Sequence, residues 1–450
     1  MKVIEPATEK VLADLPEAGI EEADAAVARA RAAYPAWRAV SPGDRAKLMR
    51  SFATAVADRA EHLSQLEARN VGKPIGDARG EVGMVVDVFN FYAGAPERLL
   101  GNTIPVAGGV DMTFREPLGV VALIVPWNFP IAITSWKVGP ALAAGNTIVL
   151  KPAALTPMTA LELEKLALQA GIPEGVLNVV VGAGRTVGER LVQHPDVAKV
   201  AFTGSTDVGK RIGALAAESI KRVTLELGGK SANIVFADAD VERAAASAPL
   251  AVFGNAGQDC CARSRILVER SAVDRFMAAL EKAIHVLRVG DPLDEKTEMG
   301  PLISADHRTR VASYVADGAP VAIRGSAPAG PGFWFPPTVL SPVSPTDRAA
   351  REEIFGPVAA VIPFSGEAEA IRIANDTIYG LSGSIWTSNA GRAMRVARAL
   401  ETGTISINSN TSVRVTTPFG GFKQSGIGRE LGPNALDHYT ELKNVFLSTS

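Results

Sequence analysis

From Gly119 onward, short runs of β-branched and aliphatic residues alternate with segments of helical periodicity, and this alternation strongly constrains the fold. Four such runs predict strands, at residues 120–125, 146–150, 177–181 and 199–202. Strands separated by helices pair in parallel, with right-handed crossover connections. The helix after the second strand is expected to begin with Thr156 as N-cap and Pro157 at its first position. The sequence therefore predicts an α/β protein.

A second α/β series begins near residue 231. Its predicted strands are 232–236 and 265–268, and its predicted helices are 241–256 and 273–287. Ahead of both series, residues 21–97 place apolar side chains at helical spacing. Because a chain of 450 residues is too long for one compact core, we expect two α/β domains.

The composition argues against several classes of function. The net charge of −2 does not attract nucleic acid or an anionic membrane. The first ten residues carry Glu5 and Glu9 and lack the apolar stretch of a signal peptide. The longest apolar run, 120–127, is too short to span a bilayer. Since the two cysteines are adjacent and make no useful disulfide framework, we expect a cytoplasmic protein.

Three short segments carry residues suited to covalent catalysis. The only cysteines, Cys260 and Cys261, end the segment Gly-Gln-Asp-Cys-Cys at 257–261. Glu226 lies in Leu-Glu-Leu-Gly-Gly-Lys at 225–230, and Asn128 lies in Pro-Trp-Asn-Phe-Pro at 126–130. A thiol needs a general base for covalent chemistry, and a carboxylate is one candidate. These segments resemble signature motifs of the NAD(P)-dependent aldehyde dehydrogenase superfamily, and the similarity covers nearly the whole chain.

The resemblance implies a role for each residue. The family's reactive thiol falls two positions after the glutamine, which selects Cys260 over Cys261. Glu226 corresponds to the general base, and Asn128 to the oxyanion donor, acting beside the backbone N–H of Cys260. Without these motifs, a free cysteine is usually a small buried hydrophobe, and Asn128 reads as a turn residue before a proline.

The implied reaction is the oxidation of an aldehyde to its carboxylic acid. Addition of the thiol gives a thiohemiacetal, hydride loss leaves a thioester, and water releases the acid. Coenzyme A-acylating branches of the superfamily lack the glutamate, so Glu226 favours hydrolysis. The alternatives are a coenzyme A-acylating semialdehyde dehydrogenase and an inactive structural or binding relative of the fold.

The resemblance also implies a site for NAD or NADP. Eight residues match positions around the coenzyme: Trp127, Lys151, Ala154, Gly184, Gly188, Ser205, Glu353 and Phe355. Ser205 precedes a predicted helix at 206–217, whose N-terminus suits a pyrophosphate. The glycine-rich turn at 182–188 is either a packing turn or a phosphate cradle. Ala154 stands where NAD-preferring members often carry glutamate, so we expect both coenzymes to be used with weak preference.

The expected substrate site contains charges of both signs. Phe129, Trp136 and Phe419 match positions that line the aldehyde tunnel. Asp259 favours a cationic amino-aldehyde, whereas Arg414 favours a semialdehyde with a carboxylate. The alternative for either charge is a salt bridge or exposure to solvent.

Lys137 and Glu430 match a pair that supports proton relay and the coenzyme site, with a structural salt bridge as the alternative. The five histidines lack the spacing of metal ligands, so no metal is expected.

The family's organisation predicts three parts. A doubly wound, parallel-sheet coenzyme domain would comprise residues 1–98 and 116–227, and an α/β catalytic domain residues 228–430. Residues 99–115 and 431–450 would form a small oligomerisation arm, and the N-terminal hairpin is expected to be short or missing. The expected partners are a small-molecule aldehyde and further copies of the chain, in a homodimer or homotetramer. Neither nucleic acid nor a membrane is an expected partner.

Overall fold

The computed structural model describes residues 1–316, 318–411 and 413–449. Ser412, in the loop that carries Arg414, and Ser450, in the expected arm, lie outside the described residues. The strands are numbered in chain order: β1 Lys2–Glu5, β2 Lys10–Asp14, β3 Thr103–Val106, β4 Gly109–Pro117, β5 Val120–Ile124, β6 Thr147–Lys151, β7 Leu177–Val179, β8 Val197–Thr203, β9 Arg222–Glu226, β10 Ala232–Val235, β11 Arg265–Glu269, β12 Val321–Arg324, β13 Thr338–Leu340, β14 Val358–Phe364, β15 Tyr379–Gly380, β16 Ser382–Trp386, β17 Thr404–Ile407, β18 Phe422–Lys423, β19 Gly426–Ile427 and β20 Thr440–Ser448.

The α-helices are α1 Ile20–Ala39, α2 Pro42–Asp58, α3 Ala60–Val71, α4 Ile75–Ala93, α5 Pro130–Ala144, α6 Met158–Gln169, α7 Glu189–Gln193, α8 Thr206–Ala217, α9 Val241–Phe253, α10 Val273–Val286, α11 Ala305–Ala312, α12 Arg348–Arg351, α13 Gly366–Asn375 and α14 Ala390–Ala399. One π-helical turn spans Gly184–Gly188. No helix in the described ranges is both long and apolar enough to cross a membrane.

The first large sheet has the strand order β19-β9-β8-β5-β6-β7, in which β5 to β9 run parallel and β19 runs antiparallel to β9. Strand β5 is buried along its whole length, as its apolar sequence predicts. The chain reverses its direction of winding between β5 and β8. In such doubly wound sheets, ligands bind at the carboxyl ends of the strands beside this reversal. We call it the coenzyme sheet.

The second large sheet has the strand order β12-β13-β14-β11-β10-β16-β17, and only β12 runs antiparallel to its neighbour. Its core contains fully buried Ile234, Leu267 and Val361. A short link, residues 227–231, connects the carboxyl end of β9 to the amino end of β10. This link brings the carboxyl edge of the coenzyme sheet next to the amino edge of the second, or catalytic, sheet.

Two of the three smaller sheets contain the ends of the chain, and the third pairs β15 with β18. Strand β20 pairs antiparallel with β4 along its full length, and β3 covers the other side of β4. Strands β1 and β2 form an N-terminal hairpin, so the hairpin expected to be short or missing is present.

The predicted fold class, with parallel sheets and helical crossovers, is confirmed, and two local predictions were wrong. Helix α6 starts at Met158 with Pro157 as N-cap, because the Thr156 hydroxyl donates instead to the Trp127 carbonyl at 3.1 Å. Helix α9 ends at Phe253 rather than at residue 256, because Asn255 and Ala256 adopt left-handed backbone angles.

Candidate active site

The reactive thiol of the sequence analysis lies in a strained loop between α9 and β11. Asn255, Ala256 and Gly257 have φ angles of 50°, 55° and 71°. A left-handed conformation costs a residue other than glycine roughly 1–2 kcal/mol, so the surroundings must hold this loop in place. The run turns the chain sharply after α9 and leads to Cys260 at the amino edge of the catalytic sheet.

Buried hydrogen bonds hold the strained loop. The Asn255 amide donates to the Asn128 carbonyl at 2.9 Å, and the Gln258 amide donates back to the Asn255 carbonyl at 3.0 Å. The Gln258 side-chain oxygen accepts the Ile303 N–H at 2.8 Å. A side chain at Gly229 would clash with the Cys260 carbonyl, so glycine is required where the inter-sheet link passes the thiol loop.

Asn128 follows β5 and lies at the point of reversal in the coenzyme sheet. Its side-chain amide donates to the Gln258 carbonyl at 3.0 Å, two residues before the thiol. An amide nitrogen carries two hydrogens, and this bond uses one of them. The contact holds a hydrogen-bond donor against the backbone segment that carries Cys260.

Glu226 ends β9 and is buried, and neither of its carboxylate oxygens has a hydrogen-bond partner. Burial is the main reason that its pKa is raised well above the ordinary value, and repulsion from Glu430 adds to it, whereas Lys137 and Arg429 oppose the increase. A Cβ atom at Gly420 would lie 2.8 Å from the Glu226 carboxylate, so glycine leaves room for this side chain.

The Cys260 thiol has a strongly raised pKa. The hydrogen bond with the neighbouring Cys261 thiol is the largest cause, followed by burial and by the charges of Cys261, Asp259 and Glu353. Asp259 is held in place because its carboxylate accepts the Cys261 N–H at 2.8 Å. Possible ligand atoms of Asp259, Cys260 and Cys261 lie within 4.8 Å of one another, the one such group among the described residues.

Cys260 and Glu226 line the same cavity of about 320 Å³. We call it the thiol cavity, and its lining includes Glu81, Phe129, Trp136, Glu226, Asp259 and Cys260. Phe419 also lines it, with its ring centroid 5.2 Å from that of Trp136. Of the residues expected around the substrate, Arg414 alone is not brought into the cavity, because its side chain is exposed outside it.

One group of buried charges contains Glu226 and three residues behind it, Lys137, Glu430 and Lys199. We call it the base-side cluster, after the proposed base. Lys137 is fully buried on α5 and forms an ion pair with Glu430, whose second oxygen has no partner. Lys199 is also fully buried, donates to the Thr224 hydroxyl at 3.0 Å and lies 4.8 Å from the centre of the Tyr439 ring. Burial lowers the pKa of Lys199 to about 7.

A second group of charges was not predicted from the sequence. This funnel-side cluster consists of buried Lys73 and Glu67, partly buried Glu81 and exposed Asp77. Lys73 is fully buried, forms an ion pair with Glu81, donates to the Asn128 carbonyl at 3.0 Å and lies 3.9 Å from Glu67. The charges lie within fifteen residues of each other on α3, α4 and the connection between them, where they read as the polar faces of ordinary amphipathic helices. Only the burial of Lys73 would have identified them.

The carboxyl edge of the coenzyme sheet fits a dinucleotide. Helix α8 begins at Thr206, and its exposed N-cap, Ser205, makes no side-chain capping bond, so the first N–H groups of the helix can bind an anion. Lys151 ends β6, and its aliphatic stem lies 3.6 Å from a Cβ atom placed at Gly188. A Cβ atom at Gly184 would meet nothing within 4 Å, so packing does not require glycine there. Ala154 is half-buried in the turn before α6.

The opposite wall of this cleft comes from the catalytic sheet. Glu353 accepts the Gly229 N–H at 2.8 Å, and burial raises its pKa to about 6. Phe355 has a φ angle of 61° and lies 5.3 Å from Trp127, measured between ring centroids. Its carbonyl accepts a hydrogen bond from His307 Nε2 at 2.6 Å. His307, which the sequence analysis set aside, therefore fixes the position of this aromatic wall.

A doubly wound sheet with an anion-binding helix terminus, next to a buried thiol and carboxylate, is the architecture of an NAD(P)-dependent oxidoreductase. The family model described as "Aldehyde dehydrogenase family" matches residues 1–445. The chain belongs to this family, and it oxidises an aldehyde to the carboxylic acid.

Individual relatives agree with the family assignment. An aldehyde dehydrogenase of Emericella nidulans is 44% identical over 451 residues, which cover 99% of this chain and 91% of the relative. A betaine aldehyde dehydrogenase of Bacillus subtilis is 42% identical over 459 residues, covering 99% and 94%. The structure of the NAD+ complex of an aldehyde dehydrogenase from Bacillus cereus superposes with a TM-score of 0.98 at 43% identity, covering 100% of this chain and 93% of that one.

Proposed function

We propose that this enzyme oxidises its aldehyde through a thioester on Cys260, with Glu226 as the general base that activates water. The observation that carries the proposal is the thiol cavity, because Cys260 and Glu226 both line it. A nucleophile and a base that face one small cavity can act on the same substrate in successive steps.

The first step is addition of the Cys260 thiolate to the carbonyl carbon of the aldehyde. The negative charge that develops on the carbonyl oxygen would be stabilised by the Asn128 amide and by the backbone N–H of Cys260. The raised pKa of Cys260 means that the thiol is mostly protonated at neutral pH. The thiol proton must therefore leave before or during addition, and it would pass to the Asp259 carboxylate, which accepts a hydrogen bond from the Cys260 thiol.

The coenzyme would be held by residues from both sheets. Ser205 and Lys151 would bind its adenosine and pyrophosphate half, and Trp127, Glu353 and Phe355 its nicotinamide half. NAD or NADP, when bound, supplies the hydride acceptor. Since Ala154 brings no carboxylate that would repel a 2′-phosphate, we propose that both coenzymes are used. Strict dependence on NAD in assays at equal coenzyme concentrations would overturn this part.

The second half-reaction is hydrolysis of the thioester. Glu226 would remove a proton from water, and the water oxygen would attack the acyl carbon while the Cys260 thiolate leaves. The raised pKa of Glu226 makes it a stronger base than an exposed carboxylate. Lys137 and Glu430 lie behind it and would pass its proton onward. Transfer to coenzyme A has no observation in its favour here.

We also propose a homodimer or homotetramer built through the arm at residues 99–115 and 431–450. The sheet of β3, β4 and β20 exposes large apolar side chains, among them Phe114, Leu442 and Phe446, and such patches are typical of protein interfaces. The coenzyme domain would comprise residues 1–98 and 116–227, and the catalytic domain 228–430. The two free thiols fit the reducing cytoplasm. Light scattering that gives the mass of a single chain would contradict the oligomer.

The central test compares reduced-coenzyme formation by the wild type, Cys260→Ala and Cys261→Ala. We expect Cys260→Ala to lose all measurable turnover with every aldehyde, because Cys260 is the residue on which we propose that the thioester forms. Cys261→Ala should keep turnover within about tenfold of the wild type. Loss of turnover in Cys261→Ala together with retention in Cys260→Ala would reassign the nucleophile.

A further inference from the structure

The thiol cavity is acidic. Besides Glu226, the carboxylates of Glu81 and Asp259 line it. Among the described lining residues, Arg263 is the only cationic one, and its guanidinium is used within the protein, where it donates to the Ser384 hydroxyl at 2.8 Å and to the Cys261 carbonyl. A substrate with its own carboxylate would therefore meet no cation free to bind it.

Glu81 differs from Asp259 in one respect that matters for binding. The Asp259 carboxylate already accepts the Cys261 N–H and a hydrogen bond from the Cys260 thiol. Glu81 uses one oxygen to bind Lys73, and its second oxygen is fully buried without any hydrogen-bond partner. A buried carboxylate oxygen without a donor is costly. Because the Glu81 side chain lines the cavity, a rotation of this side chain would bring the oxygen to a donor that a ligand supplies.

The charges around Glu81 do not balance. Lys73 is the one cation of the funnel-side cluster, and it faces the carboxylates of Glu67, Asp77 and Glu81. Burial is the main reason that the pKa of Glu81 is raised to about 8, and repulsion from Glu67 and Asp77 adds to it. A positive charge that entered the cavity beside Glu81 would lower this pKa and favour the ionised carboxylate.

The shape and the other walls of the cavity agree with a short cationic chain. About 320 Å³ accommodates a small ligand. Phe129, Trp136 and Phe419 offer apolar and aromatic surface for a methylene chain and for cation–π contact. Arg414, the residue that would favour an anionic substrate, is exposed outside the cavity.

We propose that the enzyme's preferred substrates are short ω-amino aldehydes, and that Glu81 binds their primary ammonium group. The Cys260 thiol would then react with the aldehyde at the other end of the chain. A primary ammonium donates hydrogen bonds, which the unpartnered Glu81 oxygen would accept after a rotation of the side chain towards the cavity, whereas a quaternary ammonium donates none. This proposal rests on the proposed function, since it names the substrate class of the same cavity.

The test compares 3-aminopropanal with butanal, which has nearly the same size and shape but no charge, and with succinic semialdehyde. We expect kcat/KM of the wild type to favour 3-aminopropanal over butanal by about tenfold or more. Glu81→Gln keeps the shape of the side chain and removes its charge. It should raise KM for 3-aminopropanal about tenfold or more and change kcat/KM for butanal less than about threefold.

Asp87→Asn is the matched control, because Asp87 lies on the same helix, is exposed and does not line the cavity. It should leave the ratio of the two substrates unchanged. An equal effect of Glu81→Gln on both aldehydes, or a wild-type preference for butanal or succinic semialdehyde, would overturn the proposal. Butanal oxidation that depends on Cys260 would still support the proposed function in either case.

A measurement on the wild type alone covers the case in which Glu81→Gln does not fold. Propylammonium should inhibit butanal oxidation competitively, at concentrations at least about tenfold below those of tetramethylammonium or propionate. Equal inhibition by propylammonium and propionate would contradict the role of Glu81. Stronger inhibition by tetramethylammonium would reassign cation binding to the aromatic walls.

Discussion

Two buried lysine–glutamate clusters flank the thiol cavity, and they resemble each other closely. Lys137 pairs with Glu430 in the base-side cluster, and Lys73 pairs with Glu81 in the funnel-side cluster. Both lysines are fully buried, and both glutamates keep one oxygen without a partner. The same arrangement, a buried ion pair with spare acceptor capacity, lies on two sides of one reaction centre.

The clusters differ in the surroundings of the glutamate oxygen that has no hydrogen-bond partner. In the base-side cluster it lies behind Glu226, where a proton must be removed during hydrolysis. In the funnel-side cluster, Glu81 lines the substrate cavity, and Lys73 donates to the backbone carbonyl of Asn128. The comparison teaches that a buried ion pair acquires its role from its neighbours: we propose that one serves proton transfer and that the other serves substrate binding.

Replacement of the general base is the strongest test of the base-side role. We expect Glu226→Gln to lower steady-state turnover by about a thousandfold, because the glutamine amide cannot accept a proton from water. The exposed Glu218→Gln is the control and should behave as the wild type. Turnover of Glu226→Gln within tenfold of the wild type would remove Glu226 from the mechanism.

Replacement of Asn128, which contacts both the thiol loop and Lys73, should have the next largest effect on turnover. Asn128→Ala removes the proposed oxyanion donor and should lower kcat by between about 10²- and 10³-fold. Asn128→Asp keeps the size of the side chain and loses the N–H donors, so it should be impaired to a similar degree. An Asp variant as active as the wild type would show that Asn128 has only a structural role.

Replacing Lys137 and Lys73 compares how much the two buried ion pairs contribute to the free energy of unfolding. Lys137→Met and Lys73→Met each leave a buried carboxylate without its partner, and each should cost about 3 kcal/mol in the free energy of unfolding. Adding Glu430→Gln to Lys137→Met should recover most of that loss. Adding Glu81→Gln to Lys73→Met should recover less, because Glu67 stays buried without a cation. Chemical denaturation measures both pairs, and equal recovery would contradict the difference between the clusters.

The smallest expected effect concerns Lys199 and depends on pH. Its pKa is about 7 in the folded protein and near 10.4 in the unfolded chain, so only the unfolded chain is protonated between these values. The folded state therefore loses stability as pH falls from about 10 to 7. Lys199→Met removes this penalty, so its Tm should exceed that of the wild type most near pH 7, by a few degrees, with the gap closing towards pH 10.

Calorimetry across this range tests the prediction, with Lys210→Met as the control. Lys210 is exposed on α8, so its replacement should give no such trend with pH. A Tm difference for Lys199→Met that stays constant from pH 7 to 10 would show that Lys199 is charged when buried.

Much of the fold could be predicted from the sequence. Strands β5, β6 and β8 follow from apolar runs that any buried parallel strand requires, and helix α8 has the predicted bounds. The end of α9 could not be predicted, because Asn255 and Ala256 adopt left-handed angles. The distant Asn128 carbonyl, which accepts from the Asn255 amide, and nearby Gln258, which donates to the Asn255 carbonyl, stabilise them. The start of α6 failed for a similar reason, since Trp127 captures the Thr156 hydroxyl.

Prediction of the candidate site from the sequence was limited for a similar reason. Lys137 and Glu430 are 293 residues apart, yet the resemblance to a family named both. Lys73 and Glu81 are eight residues apart, yet nothing in the sequence separated them from the exposed charges of amphipathic helices. Arg414 and Asp259 were equally plausible substrate contacts until side-chain direction was known. Burial and direction arise from tertiary packing, which local patterns do not contain.

The most direct test of the central claim is to trap the covalent intermediate in Glu226→Gln. The variant is mixed with butanal and coenzyme, quenched within one turnover and digested for peptide mass spectrometry. We predict a burst of about one reduced coenzyme per active site and a butyryl group on Cys260, whereas the wild type shows little adduct. A butyryl group on Cys261, or a burst without any acylated cysteine, would contradict the thioester mechanism at Cys260.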